Sequence, residues 1–172
     1  MDKLSKLAIK YGTDRYGKHH YTQVYHDLFK DKRREVKAVL ELGVGEGAGL
    51  FMWRDYFPLA MIYGADNDPK RLFDSQRIKV YRCDQSNKQD LIDLIDQVSS
   101  SIDLFIDDGS HIPKDQLNTC LTVMPLLKKD TIYIIEDVSD PTIMGGLAEY
   151  DCKLVKVGRR YDDRLIICQK YQ

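Results

Sequence analysis

The chain has 172 residues, a formal net charge of −1, 43% hydrophobic residues and 31% charged residues. These values suit one globular domain built around a single core. A nearly neutral chain lacks the basic surface that binds nucleic acid or an anionic membrane, so neither partner is expected. No apolar stretch approaches membrane-spanning length, and the first ten residues lack the apolar segment of a signal peptide.

The four cysteines are scattered and form no CxxC pair: Cys83, Cys120, Cys152 and Cys168. Such spacing argues against a zinc ribbon or a disulfide scaffold. We therefore expect free thiols in a reducing compartment, and a cytoplasmic protein.

Helical and strand-like patterns alternate along most of the chain. Two helices are predicted first, at 3–10 and 21–30, followed by strands at 38–42, 61–65, 78–82, 102–106 and 131–135. Helical spacing between the strands covers 48–56, 87–98 and 113–127, the last starting at a proline. Near-continuous apolar strands that alternate with helices predict a parallel sheet covered on both faces.

The end of the chain breaks this alternation. Two strand-like runs, 153–157 and 164–170, flank a polar turn and predict an antiparallel β-hairpin. The predicted fold class is therefore α/β, a Rossmann-like doubly wound sheet that is mostly parallel and ends in an antiparallel hairpin. We expect a single domain, with residues 1–35 as a helical lid segment and 36–172 as the core.

A glycine-rich turn follows the first predicted strand, in the stretch VLELGVGEGAG. Gly43 and Gly45 begin this turn, and Glu41 precedes them in the strand. Glycine permits positive φ and lets a ligand approach bare backbone, as a nucleotide-like cofactor requires. A turn that only packs a helix closely against the sheet would have a similar sequence, and the glycine string alone is a weak signal.

Polar residues also end the next two strands. Asp66 and Asn67 follow the second strand at the distance where an acid reaches ribose hydroxyls, and Asp84 and Gln85 follow the third. Asp66 alone would equally suit a helix N-cap, but the set predicts a cofactor crevice at the carboxyl ends of the strands. Both a nicotinamide dinucleotide and S-adenosylmethionine fit this unit, and the terminal hairpin favours S-adenosylmethionine.

Acids cluster after the fourth and fifth strands. Asp107, Asp108 and His111 follow one, and Glu136 and Asp137 follow the other. Desolvated carboxylates repel one another, so such a cluster needs a cation, a proton or open water. If the two strands are neighbours, Asp108 and the second pair supply the hard oxygen ligands that Mg²⁺ prefers, and the histidine suits a general base. Asp107 would cap the turn or contact the cofactor.

These residues lie in stretches that resemble class I S-adenosylmethionine-dependent methyltransferases, and more narrowly the metal-dependent sugar O-methyltransferases of mycinamicin and related macrolide pathways. The matching stretches are KYGTDRYGKHHYTQVYHDLF, VLELGVGEGAGLFMWRDYFPLAMIYGADND, CDQS, DLFIDDGSH and YIIEDV. Longer relatives carry a further N-terminal domain or an insertion that shapes the substrate pocket, and here about 35 residues precede the first strand. Substrate identity is therefore the least transferable part of the resemblance.

The resemblance implies a role for each matching cofactor residue. Asp66 would bind the cofactor ribose, and Asp84 and Gln85 would border the adenine. Thr13 and Tyr21 fall in the family's N-terminal segment that folds over the cofactor.

For the metal, the resemblance implies that Asp108, Glu136 and Asp137 bind magnesium and that His111 is the general base. Arg15 stands where this family commonly has lysine.

The predicted function is an S-adenosylmethionine- and Mg²⁺-dependent O-methyltransferase acting on a small polyhydroxylated acceptor, such as a sugar or a glycosylated metabolite. A metal-independent methyltransferase of the same fold, an NAD(P)-binding oxidoreductase and a non-catalytic binding module are the alternatives. The sequence leaves the oligomeric state undecided, and a homo-oligomer in which a neighbouring subunit completes the pocket is one possibility.

Overall fold

The computed structural model describes residues 1–98 and 101–171; residues 99, 100 and 172, which fall inside the predicted core, lie outside the described residues. The helices are α1 Lys3–Tyr11, α2 Thr22–Phe29, α3 Ala48–Tyr56, α4 Lys88–Val98 and α5 Pro113–Val123. The strands are β1 Ala38–Leu42, β2 Met61–Asp66, β3 Asp74–Ser75, β4 Ile78–Arg82, β5 Leu104–Asp107, β6 Ile132–Ile135, β7 Asp151–Lys156 and β8 Arg164–Gln169. Short 3₁₀ helices cover Pro69–Arg71, Met124–Leu126 and Pro141–Leu147.

The described strands form one sheet in the order β3-β4-β2-β1-β5-β6-β8-β7. β4, β2, β1, β5 and β6 are parallel, whereas β8 is antiparallel to β6 and β7 is antiparallel to β8. The predicted α/β fold and its terminal hairpin are confirmed. Because β5 and β6 are direct neighbours, the two acid clusters at their ends lie at one edge of the sheet. The short β3, antiparallel to β4, was not predicted.

Successive side chains along each strand point to opposite faces of the sheet, and each face has its own hydrophobic core. Val39 and Ile106 face the layer of α1, α2 and α3, where Trp53 is fully buried. Leu40 and Phe105 face α4 and α5 on the other side. This alternation follows from the period of two in a strand, and it covers both faces of the sheet with helices.

The N-terminal helices are packed into the first of these cores. Asp2 caps α1 by accepting the backbone N–H of Ser5, and Gly12 ends the helix in the left-handed conformation. Leu4 and Tyr25 are fully buried against the core. Both helices that flank the connection at residues 12–21 are therefore anchored in this core.

The cysteines differ from the expectation of four free thiols. Cys152 and Cys168 are directly opposite each other on β7 and β8 and form a disulfide, with 4.1 Å between their Cα atoms. Cys83 and Cys120 are free and buried. The prediction of free thiols is therefore wrong for the hairpin pair, whose register places the two sulfurs together.

Within residues 1–98 and 101–171, no helix combines the length and the apolar character needed to cross a membrane.

Candidate active site at the carboxyl edge of the sheet

A cavity of about 420 Å³ opens at the carboxyl ends of β1, β2, β4 and β5. Five of the predicted cofactor residues line it: Gly43, Asp66, Asn67, Asp84 and Gln85. Ser86, Ser110 and the exposed Ile112 complete part of the wall. Parallel strands bring such residues to one edge, so the cavity lies where the crevice was expected.

Gly43 makes the closest backbone approach in this region. Its φ is 90°, and a Cβ atom at this position would overlap the carbonyl oxygen of Asp108. Gly45 also has a positive φ, 53°, but a Cβ there would meet nothing within 4 Å. Close packing of the turn against the end of β5 thus requires glycine at position 43. At position 45, glycine is favoured only by the positive φ of the backbone.

Gly43→Ala should lower the free energy of unfolding by more than about 1 kcal/mol, because it adds a steric overlap to an unfavourable φ. Gly45→Ala is the matched control and should cost less, since it meets the same φ penalty in open space. Urea denaturation of both variants measures the difference. Equal losses would show that the approach to Asp108 is unimportant.

Gln85 connects two strand ends across the cavity. Its Nε2 donates to Oδ1 of Asp107 at 2.7 Å, and its Oε1 accepts the backbone N–H of Ser110 at 2.7 Å. Asp107 is fully buried, and burial raises the pKa of its carboxyl to about 7 while Gln85 opposes the shift. Asp107 thus lies beneath the cavity wall, where it fixes Gln85.

The acids after β2 and β4 shape their own turns. Asp66 accepts the backbone N–H groups of Val44 and Asp68, each at 2.9 Å, and so joins the glycine turn to the end of β2. Asp84 accepts both the backbone N–H and the hydroxyl of Ser86, which lower the pKa of its carboxyl. Each carboxylate has further lone pairs with which it can bind a ligand in the cavity.

Asp108, His111 and Asp137 form a cluster beside the cavity. Each offers one possible metal-ligand atom, and these atoms lie within 4.8 Å of one another. Nε2 of His111 is 3.1 Å from Oδ1 of Asp108, and Nδ1 is 3.6 Å from Oδ2 of Asp137. The hydrogen bond to Asp108 raises the pKa of His111 to about 9, although burial opposes it.

The backbone of this cluster is strained. His111 has φ 58° and Asp137 has φ 50°, which is the left-handed region that residues other than glycine uncommonly adopt. Each such residue costs on the order of 1–3 kcal/mol, and such residues concentrate at functional sites. His20 and Arg77 have the same backbone conformation outside the cluster, so the loops after β5 and β6 are marked by their converging acids and imidazole, and not by φ alone.

Glu136, the third predicted metal ligand, lies deeper than the other two. Its side chain is buried, and its Oε1 accepts from Nε of Arg15 at 2.9 Å and from the hydroxyl of Tyr25 at 2.5 Å. Burial raises the pKa of Glu136, and Arg15 opposes that shift. Glu136 is not among the three clustered residues, and its role as a metal ligand stays a prediction.

Arg15 is the main site residue that the sequence did not single out. Its buried guanidinium pairs with Glu136, with Asp108 at 2.8 Å and with Glu41 at 3.4 Å, and it lies over the ring of Trp53. Although burial lowers it, these carboxylates together raise the pKa of Arg15 well above its usual value. Arg15 is thus an internal counter-cation for acids from three strands.

Glu41 belongs to this buried cluster and does not line the cavity. It accepts a hydrogen bond from the indole N–H of Trp53 as well as pairing with Arg15. Burial raises the pKa of Glu41 to about 7, and Arg15 opposes the shift. Its predicted contact with a cofactor stays a prediction, and its observed contacts hold α3 and the N-terminal segment to β1.

The two N-terminal residues assigned to the cofactor lie outside the described cavity lining. Tyr21 donates its hydroxyl to Oδ1 of Asp137 at 2.6 Å, and Thr13 contacts the sulfur of Met52 at 3.9 Å. Contact of either residue with a cofactor stays a prediction. His19, in the same segment, is 2% exposed and its ring stacks on Tyr21.

Comparison with known proteins points to one group of enzymes. The 8-demethyl-8-alpha-L-rhamnosyl tetracenomycin-C 2'-O-methyltransferase of Streptomyces olivaceus is 35% identical over 142 residues, which are 78% of this chain and 37% of that protein. Mycinamicin VI 2''-O-methyltransferase of Micromonospora griseorubida is 35% identical over 143 residues, or 78% of this chain and 36% of that protein. The chain is a homologue of sugar O-methyltransferases. No family model matches it.

This methyltransferase homologue spans a little over a third of the length of those curated relatives. Among solved structures, MycE methyltransferase from the mycinamycin biosynthetic pathway, in complex with Mg and SAH, superimposes with a TM-score of 0.80 and 26% identity, covering 98% of this chain and 55% of that one. Another MycE structure also contains mycinamycin VI. A Podospora anserina methyltransferase with SAH, 15% identical with a TM-score of 0.68, shares the fold.

Proposed function

We propose that this chain binds S-adenosylmethionine and a divalent cation and transfers a methyl group to a hydroxyl of a sugar or a glycosylated small molecule. The observation that carries the proposal is the placement of Asp108, His111 and Asp137 beside a cavity at the carboxyl edge of a methyltransferase sheet. The relatives named above act on sugar hydroxyls, which supports the same acceptor class here.

The cavity suits the adenosine part of the methyl donor. Asp66 presents carboxylate oxygens for ribose hydroxyls at the end of β2, and Gln85 with Ser86 forms a polar wall after β4. The exposed side chain of Ile112 adds an apolar surface for a flat base. Gly43 also lines the cavity, so the aminocarboxylate would approach the backbone of the turn after β1 there.

The donor set suits a hard divalent cation. Carboxylate oxygens are the ligands that Mg²⁺ prefers, and Asp108 and Asp137 supply them from adjacent strand ends. When bound, such a cation orients vicinal hydroxyls and lowers the pKa of the hydroxyl that it contacts. Both hydrogen bonds of Glu136, with Arg15 and with Tyr25, are accepted by Oε1, so Oε2 is the oxygen with which it would join these ligands.

His111 is the residue we assign to proton transfer. Its imidazole is partly exposed, so it can reach an acceptor from the rim of the cavity. Its hydrogen bond with Asp108 orients the ring but also raises its pKa to about 9, so the imidazole would accept a proton once a cation bound by Asp108 and Asp137 offsets their negative charge. The methyl donor already carries a good leaving group. The protein therefore has mainly to orient the acceptor hydroxyl and remove its proton.

Metal dependence separates this proposal from its nearest alternative. Methyl transfer should stop in excess EDTA and return on adding Mg²⁺, whereas activity that persists in EDTA would favour a metal-independent methyltransferase. Mycinamicin VI, named for one relative, is the first acceptor to test. A thermal-shift comparison supplies the second control: SAH should raise the melting temperature and NADH should not, and the reverse would indicate an oxidoreductase.

The cytoplasmic location, the absence of a nucleic-acid partner and the homo-oligomer considered above stay predictions. Size-exclusion chromatography with light scattering measures the last of these directly.

A further inference from the structure

Asp137 is held through one oxygen by residues that the proposed reaction does not use. Its Oδ1 accepts from the hydroxyl of Tyr21 at 2.6 Å and lies 3.5 Å from Nδ1 of His19. Its Oδ2 is the oxygen that faces His111. The two oxygens of this carboxylate are therefore divided between the N-terminal segment and the clustered site.

His19 is itself fixed by the hairpin between β7 and β8. Its Nδ1 lies 3.0 Å from Oδ1 of Asp163, and its ring stacks on Tyr21 with 5.2 Å between centroids. Oδ2 of Asp163 accepts the backbone N–H of Arg160 at 2.7 Å. The chain of contacts thus runs from the hairpin turn through His19 to Asp137.

Closing the turn between β7 and β8 uses only one oxygen of Asp163, so it does not explain why a carboxylate is present at this position. The Arg160 amide uses one of its oxygens, and the other oxygen is directed to His19. Both His19 and Asp163 are 2% exposed, and burying a carboxylate is costly unless each oxygen has a partner. Nε2 of His19 has no hydrogen-bond partner among the described residues and lies 3.6 Å from Oδ2 of Asp14, so the hydrogen bond that holds the ring is the one at Nδ1.

We propose that His19 and Asp163 are positioning residues of the metal site. Together with Tyr21 they fix Oδ1 of Asp137, so that Oδ2 is presented to a cation shared with Asp108. This rests on the proposed function, since it requires a cation at Asp108 and Asp137. Hydrogen-bond partners behind a metal ligand orient it, and losing one typically costs about 10–100-fold in metal affinity.

Direct titration with Mn²⁺, followed by the electron paramagnetic resonance signal of the free ion, tests this without using activity. Asp163→Asn should weaken Mn²⁺ binding by about 10–100-fold and leave SAH affinity unchanged. The variant keeps an oxygen for the Arg160 amide but loses the second acceptor that holds His19. Mn²⁺ binding equal to that of the wild-type chain would overturn the proposal.

Asp162→Asn is the matched control, because it removes the same charge from the same turn. The Asp162 side chain pairs with the exposed Arg160, and only its backbone carbonyl meets Tyr21. Its Mn²⁺ affinity should stay unchanged. If both variants weaken Mn²⁺ binding equally, long-range charge explains the effect and positioning does not.

His19 variants provide an independent pair. In His19→Asn the amide nitrogen takes the place of Nδ1, so Mn²⁺ affinity should largely survive, whereas His19→Gln should lose it. Parallel losses of Mn²⁺ and SAH binding in every variant would mean a general structural role and would overturn the proposal. A wild-type chain that binds SAH but no Mn²⁺ would refute the metal-dependent function itself, and the inference with it.

Discussion

Arg15→Met should lower the free energy of unfolding by about 3–5 kcal/mol, the cost typical of removing one partner from a buried ion pair. The guanidinium is almost fully buried, and its single positive charge is shared by Glu136, Asp108 and Glu41. Without it, carboxylates from three strands would face one another with no compensating charge. Urea denaturation in metal-free buffer measures the loss.

Three further variants identify the cause. Arg15→Lys should cost less because it keeps the charge while losing the planar fork that reaches several acids at once. Arg71→Met removes a partly exposed arginine whose partner, Glu46, is exposed, and it should change the stability by less than about 1 kcal/mol. Adding Glu136→Gln to Arg15→Met should recover part of the stability. A loss below about 1 kcal/mol for Arg15→Met would contradict its role as counter-cation.

The second large effect is on catalysis: His111→Ala should reduce methyl transfer by about 10²-fold or more, the usual contribution of a positioned general base. The cavity residues that would bind the donor do not include His111, so SAH affinity should stay unchanged. The rate is measured under single-turnover conditions with an acceptor that the wild-type chain methylates.

His20→Ala is the control for this experiment. His20 is an exposed histidine of the N-terminal segment and also has a positive φ, 62°, but it is not part of the acid cluster. Its substitution should leave methyl transfer unchanged. A wild-type rate in His111→Ala would remove this histidine from the reaction and leave the site with binding residues only.

The sequence predicted the scaffold well because the scaffold depends on local patterns. The first helix, the five parallel strands and the hairpin all have continuous apolar spacing, and the structure confirms them to within a few residues. The position of Asp66, Asp84 and Gln85 at one cavity could be predicted for a related reason, although their contact with a cofactor stays a prediction. The carboxyl ends of parallel strands meet at one edge, so residues that follow the strands meet there as well.

The contacts of the N-terminal segment could not be predicted in the same way. Arg15 and His19 lie 121 and 144 residues before their partners Glu136 and Asp163, and no periodicity connects such positions. The acid cluster was interpreted as needing a metal cation, whereas the chain supplies one positive charge itself through Arg15. The cluster of acids did indicate that a positive charge was missing from the predicted site. It did not indicate which distant residue would supply that charge.

The cysteine prediction was wrong for a related reason. The hairpin was expected, but its register was not, and only the register places Cys152 opposite Cys168. In a hairpin, a shift of one residue moves every side chain to the other face. Two cysteines flanking a predicted turn are therefore best considered as a cross-strand pair before they are assigned as free thiols.

The left-handed backbone at His111 and Asp137 has an evolutionary consequence. Glycine at either position would relieve the strain and favour a more stable chain, yet it would remove an imidazole or a carboxylate from the site. Selection for thermal stability alone would therefore favour glycine at both positions. Under the proposed function, the imidazole and the carboxylate at these positions trade stability of the chain for activity at the site.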